Sequence, residues 1–151
     1  MMSRTHISIT IAAVLLFLPR IESQFIFIAV AMVTTFIPDI DSAFSYFGDN
    51  SGSRMAQLFI RHRGILHSLT FCVAVSLVFA FFIPVLAFPF FLAYSLHLFA
   101  DSFTKKGIVP FWPLRKAAKG WVKTGGVRET SVFIFMVVLD MLLFLLVLKV
   151  F

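Results

Sequence analysis

The sequence predicts an all-α integral membrane protein, a bundle of about five helices with an interfacial loop on the cytoplasmic side. Of its 151 residues, 60% are hydrophobic and 21 are Phe, whereas only 13% are charged, about half the roughly 25% of soluble domains. A soluble domain of this size buries only about 70% of the surface of its unfolded chain and would leave too much apolar surface exposed. Disorder, a disulfide scaffold and an ordinary cytosolic enzyme are therefore disfavoured, which leaves one membrane-embedded domain, residues 1–151.

Five apolar segments, none with the alternation of a barrel strand, are the predicted helices. They cover residues 6–18, 24–37, 66–83, 85–101 and 131–151. Pro19, Pro38 and Pro84 separate them where a helix is expected to end or begin. Only the last segment has the roughly 20 residues of a comfortable span. The first two either cross with the help of polar ends or a thinned bilayer, or pack as a partly buried pair.

Positive charge predicts the orientation. If each segment crosses the membrane, 11 of the 13 Lys and Arg residues lie on the side of the N-terminus, and only Arg20 and Lys149 lie on the other. The positive-inside rule then makes the first side cytoplasmic and places the C-terminus outside. Because this bias accounts for the net charge of +6 and no nucleic-acid module is recognisable, we expect no nucleic-acid partner.

The same topology gathers the scarce polar residues at one end of the helices. All four histidines and three of the five aspartates fall on predicted cytoplasmic helix ends: His6, Asp39, Asp41, His62, His67, His97 and Asp101. His97 and Asp101 are four residues apart and share a helix face. Such ligands favour Zn, with Mn or Fe as alternatives, and their number suits one or two ions. Taken singly, each is more typical of a structural residue, either a polar helix tip or a helix cap, than of a metal ligand.

The seven residues lie in four short motifs that follow one another along the chain. The motifs are Thr5-His6, Ile37-Pro38-Asp39-Ile40-Asp41, His62-Arg63-Gly64-Ile65-Leu66-His67-Ser68, and His97-Leu98-Phe99-Ala100-Asp101-Ser102-Phe103-Thr104 followed by Gly107. They resemble the YdjM-like family, described as LexA-regulated, inner-membrane, metal-dependent hydrolases. The resemblance implies a membrane-bound hydrolase whose metal ligands are the seven histidines and aspartates above. Ile37 and Leu66 depart from the family's usual Leu and Thr but remove no ligand.

A hydrolase of this kind needs a base and groups that hold an anion. We expect Asp41 to take the proton from the attacking water. Arg63 suits bidentate binding of a phosphate or carboxylate, although a positive-inside anchor explains it equally well. Ser68, Lys105 and Lys106 complete the predicted substrate-binding residues, with solvated lysines as the alternative.

The segment 102–130 mixes Trp112 and Trp121 with Lys and Arg, which is typical of a segment lying along a membrane surface. A site beside it favours a membrane-resident substrate, with phosphoester cleavage of a phospholipid or lipid-linked phosphate as the leading hypothesis. The alternative is a non-enzymatic metal-binding membrane protein, either a structural module or a small transporter, although a transporter should hold its ligands near the bilayer midplane. Asp140, within the last segment, is either a buried structural group or part of a proton path.

Overall fold

A computed structural model describes residues 1–39, 65–114 and 116–149, and over these residues the chain forms five α-helices. The helices are α1 (Ser3–Phe17), α2 (Gln24–Phe36), α3 (Leu69–Phe82), α4 (Pro84–Ser102) and α5 (Val127–Leu148). Short 3₁₀ turns occupy Leu18–Arg20, Ile37–Asp39 and Ile65–His67. No strand longer than an isolated bridge occurs in these ranges, so the predicted all-α fold class is confirmed.

Two of these helices, α4 and α5, are long and apolar enough to cross a membrane. No residue in the most apolar stretch of α5 is buried, and its Phe135 and Met141 are 66% and 65% exposed. Exposed side chains of this kind belong in hydrocarbon rather than in water. Helix α2 together with the 3₁₀ turn that follows it (Gln24–Asp39) is a shorter apolar helix, as the sequence predicts. Helix α3 is also short, and it begins three residues later than the predicted segment 66–83. The arrangement is that of a membrane bundle.

Helix α4 is the centre of the packing. It contacts α1, α2 and α3, while α5 packs against α1. Where α2 crosses α4, Ala31 and Ala93 are both completely buried, and small residues at such crossings let two backbones approach closely. On the other side of α4, Tyr94 and Leu98 pack with Cys72 of α3. The central helix therefore fixes where the ends of its neighbours meet.

Proline sets several of the helix boundaries. Pro19 lies in the turn after α1, Pro38 in the turn after α2, and Pro84 is the first residue of α4, where its missing N–H leaves no extra unpaired donor. The structure extends two helices toward their N-termini relative to the apolar segments, with α1 beginning at Ser3 and α5 at Val127. The first turns of α1 and α5 therefore contain polar residues, which lie at the end of the bundle.

The segment between α4 and α5 folds back on itself. Ile108 and Ala118 exchange two backbone hydrogen bonds of 2.9 and 2.8 Å, and the amide of Leu69 at the start of α3 donates to the carbonyl oxygen of Pro110 at 2.8 Å. Trp112 and Trp121 are 44% and 68% exposed. Backbone hydrogen bonds thus hold the predicted interfacial loop in place, and its tryptophan side chains are exposed.

Gly107→Ala should destabilise the fold more than Gly125→Ala. Both glycines have positive φ, 67° and 75°, a conformation that costs an L-residue roughly 1–2 kcal/mol. At Gly107 an added Cβ would also lie 2.2 Å from the carbonyl oxygen of Ala118, whereas nothing lies within 4 Å at Gly125. Thermal unfolding in detergent should show a clearly larger fall in midpoint for Gly107→Ala. Equal shifts would contradict the tight pairing of this segment.

Candidate metal centre

His97 is the best-defined side chain of the candidate site. It lies on α4, is 2% exposed, and its Nδ1 is 2.9 Å from the carbonyl oxygen of Thr35 on α2. Because a carbonyl oxygen only accepts, Nδ1 carries the proton, and Nε2 of the neutral ring presents a lone pair. That Nε2 is buried and has no hydrogen-bond partner among the described residues. A histidine oriented by a carbonyl in this way is typical of a metal ligand.

His6 brings α1 to the same place. Its ring stacks on that of His97, with centroids 3.8 Å apart and an angle of 7° between the planes. It is 2% exposed, and neither ring nitrogen has a hydrogen-bond partner within the described part of the chain. A buried polar atom without a partner costs about 1–3 kcal/mol. The structure therefore holds two imidazoles in an arrangement that is costly unless another group binds them.

Asp101 lies one helical turn beyond His97 on α4, as the four-residue spacing predicts. It is 1% exposed, and its Oδ1 is 3.4 Å from Nε2 of His6. The α-amino group of Met1 donates a hydrogen bond to the same oxygen. The second oxygen, Oδ2, is 4.0 Å from Nε2 of His67, so the carboxylate lies between two histidines.

Asp39 and His67 complete the group from turns that flank helices. Oδ1 of Asp39 is 3.7 Å from Nε2 of His97 and 3.9 Å from Nε2 of His67. His67 is 3% exposed, whereas the side chain of Asp39 is 37% exposed. The cluster is therefore deeply buried on the side of α1 and α4 and accessible at Asp39.

These five residues fit a metal ion. Two overlapping groups, His6–Asp39–His97 and His67–His97–Asp101, have one ligand atom from each member within 4.8 Å of the others. Ligands about 2.0–2.2 Å from a tetrahedral ion lie about 3.4 Å from one another, close to the 3.4–4.0 Å pair distances seen here. Nε2 of His97 and one of the two ring nitrogens of His6, all buried and without a hydrogen-bond partner among the described residues, offer lone pairs to such an ion. His97 belongs to both groups, and because its one lone pair is on Nε2, the two groups are alternative ligand sets for one ion.

Several predicted site residues lie outside this cluster or outside the described residues. Asp41, His62 and Arg63 fall in the latter category, so their roles stay predictions. Lys105 and Lys106 are exposed beyond the end of α4. The Ser68 hydroxyl accepts from the Phe71 amide at 3.2 Å and donates to the Ile65 carbonyl at 2.6 Å. Ser68 is completely buried and caps α3, which places His67 directly before that helix.

Three residues that support the site were not predicted from the sequence. Thr35 supplies the carbonyl that orients His97. The Tyr94 hydroxyl donates to the carbonyl oxygen of Leu66, which ties the turn carrying His67 to α4. Glu129, at the start of α5, is completely buried and accepts hydrogen bonds from the first turn of α1. The signal in the sequence that could have pointed to Glu129 is its position as an acid in the first turn of a helix.

Asp140 lies away from the cluster, eleven residues beyond Glu129 on α5, or about 16 Å along the helix. Its Oδ2 accepts a 2.8 Å hydrogen bond from the hydroxyl of Ser8 on α1. Polar pairs of this kind hold membrane helices together. The contact supports the structural interpretation of Asp140 over a proton path.

The fold and the cluster define a helical membrane protein with buried histidine and aspartate side chains at one end. The chain belongs to the YdjM inner membrane protein family, whose model matches residues 1–150. This confirms the resemblance carried by the four motifs and identifies an inner membrane protein. No curated protein and no solved structure matches the chain at a significant level.

Ser68→Ala should lower the free energy of unfolding by about 1 kcal/mol, because it removes the N-cap of α3. Ser131→Ala is the matched control, since that hydroxyl is exposed and bonds only the Val127 carbonyl in its own helix. Thermal unfolding in detergent should distinguish the two variants. An unchanged midpoint in Ser68→Ala together with a loss of substrate binding would favour the predicted substrate contact over the cap.

Proposed function

We propose that this protein is a metal-dependent hydrolase of the inner membrane that cleaves a phosphoester of a phospholipid or lipid-linked phosphate. One observation carries the metal site: the buried ring of His97, fixed through Nδ1 by the Thr35 carbonyl, with its unpartnered Nε2 directed at the carboxylates. We propose Zn as the metal, with Mn or Fe as alternatives, because mixed imidazole and carboxylate ligands suit these ions.

We assign each residue of the proposed site a separate role in hydrolysis. His6, His67, His97 and Asp101 hold the metal on the buried side, and Asp39 holds it at the accessible edge. When bound, a divalent metal supplies a Lewis acid that activates water near neutral pH. We propose that Asp41, two residues beyond Asp39, accepts the proton and that Arg63 holds the anionic group of the substrate.

An apolar groove supports a substrate with a hydrocarbon tail. It has a volume of about 290 Å³ and is lined by Val30 and Val33 of α2, by Ile37 of the turn after it, and by Phe79 of α3 and Phe90 of α4, among others. Ile37 lies in the same 3₁₀ turn as Asp39, so one end of the groove is at the turn that carries a proposed ligand. A lipid could place its tail there and its phosphoester at the metal.

The orientation is part of the same proposal. We place the N-terminus and the metal centre at the cytoplasmic face and the C-terminus outside, because 11 of the 13 Lys and Arg residues would then lie inside. The exposed Trp112 and Trp121 and the neighbouring lysines would contact the headgroups on that side.

The second candidate is a structural metal site in a non-enzymatic protein. The burial of His6, His67, His97 and Asp101 to 3% exposure or less favours it, because structural sites are closed by protein ligands. The 37% exposure of Asp39 favours the hydrolase instead, because catalysis requires a position open to water. Product formation distinguishes the two.

His97→Ala and Asp101→Ala should each weaken metal binding about tenfold or more, since even residues behind the ligands change affinity by about 10–100-fold. Elemental analysis of the purified protein in detergent, followed by competition with a chelator, measures this. Asp140→Asn is the control, because it removes a half-buried carboxylate of the same bundle away from the cluster. Unchanged metal content in both cluster variants would refute the metal site.

Val33→Trp should reduce turnover of a long-chain lipid substrate while leaving metal content unchanged, because the indole would fill the groove. Val33 is 66% exposed, so the core should tolerate the change. Val138→Trp, at a 52% exposed position on α5 away from the groove, is the matched control. Metal-loaded protein is incubated with a membrane lipid extract and products are followed by mass spectrometry. Metal binding without any metal-dependent product would favour the structural candidate.

A further inference from the structure

Glu129 is a buried acid that the proposed chemistry leaves unused. It lies in the first turn of α5 and is completely buried. Its Oε1 accepts from the backbone amide of Met2 and, at 3.2 Å, from the hydroxyl of Thr5, while its Oε2 accepts from the amide of Gly125 at 2.6 Å. It belongs to neither group of candidate ligands. Both of its oxygens are engaged in holding backbone and hydroxyl groups in place.

Two of these three bonds fix the beginning of α1. Met2 is the N-cap of that helix and has no side-chain cap of its own. The first four amides of a helix lack partners within it, and here a carboxylate from another helix supplies one. Thr5 directly precedes His6, so the second bond sets the rotation of the turn that carries the imidazole. A negative charge at this point is also favourable toward the helix dipole.

We infer that Glu129 is the positioning residue for His6: by holding Met2 and Thr5, it aims the His6 ring at His97 and Asp101. The observed result is the 3.8 Å stacking of His6 on His97 and the 3.4 Å separation of its Nε2 from Asp101. The consequence for metal binding rests on the proposed function, but the effect on the His6 ring does not. The two can therefore be tested separately.

Two variants remove the interaction to different extents. Glu129→Gln keeps the shape but brings an NH₂ group against donors, so at least one of the three bonds is lost. Thr5→Val removes only the hydroxyl next to His6 and remains informative if Glu129→Gln does not fold. Asp140→Asn is the matched control, because it too replaces a carboxylate of α5 that contacts α1, at the Ser8 hydroxyl.

The first readout is the NMR spectrum of the metal-free protein with labelled histidine rings, with the His6 signal assigned by its loss in His6→Ala. The His6 signal should shift in Glu129→Gln and Thr5→Val and stay in place in Asp140→Asn. A general loosening of the α1–α5 contact would shift it in all three variants. An unchanged His6 signal in both test variants would overturn the inference.

The second readout is titration with Co²⁺, followed by its absorption spectrum. Glu129→Gln should bind about 10–100-fold more weakly, as is typical when a residue behind a ligand is removed, and its spectrum should change, whereas Asp140→Asn should match the wild type. If the wild type binds Co²⁺ and Glu129→Gln binds it equally well with the same spectrum, the inference is wrong and the metal site stands. If the wild type binds no metal while the His6 signal shifts as expected, the positioning role stands and the proposed function is wrong.

Discussion

The hydrogen bond from Nδ1 of His97 to the carbonyl oxygen of Thr35 is the contact on which the site depends. Thr35 is the next-to-last residue of α2, which ends at Phe36 before Pro38. The last four carbonyls of a helix have no partner within it, so the proline-containing turn leaves this oxygen available. His97 takes it up, which joins α4 to α2 and directs Nε2 into the cluster. The position of one proline thus determines the orientation of a ligand on another helix.

Hydrogen bonds between α1 and its neighbours orient His6 in a similar way. Its polar side chains pair with two different neighbours: Thr5 and Ser8 with the acids of α5, and Thr10 with Thr35 of α2 at 2.8 Å. In apolar surroundings such pairs contribute about 0.6 to 2 kcal/mol each, and they also define one rotation of the helix about its axis. That rotation carries His6 to the ring of His97. The polar residues of α1 therefore serve both association of the helices and alignment of the site.

The sequence is sufficient to predict those features that depend on chain order. Pro19, Pro38 and Pro84 mark the ends of helices, and His6, Asp39, His67 and His97 converge because each lies at the same end of its apolar segment. Contacts between helices that are far apart in the sequence cannot be predicted from chain order. Glu129 meets Thr5 across 124 positions and His97 meets Thr35 across 62, and neither pair has a local pattern. Ser68 shows a further limit, because a capping serine and a substrate-binding serine look the same in a sequence.

The balance of donors and acceptors explains why we assign the metal to the bundle end rather than to the polar contacts along α1. The Thr10–Thr35 and Thr5–Glu129 pairs each contain a donor and an acceptor, so they need no further group. Oδ1 of Asp140 is buried without a hydrogen-bond partner among the described residues, but Asp140 belongs to no group of candidate ligands there. At the bundle end, Asp39 and Asp101 converge with nitrogens of His6 and His97 that have no hydrogen-bond partner among the described residues, and the α-amino group of Met1 donates to Asp101. Each neutral imidazole offers one lone pair, and with the carboxylate oxygens these acceptors outnumber the two protons of a water molecule. A divalent cation accepts several lone pairs together and also offsets the charge of the carboxylates, whose burial is otherwise costly.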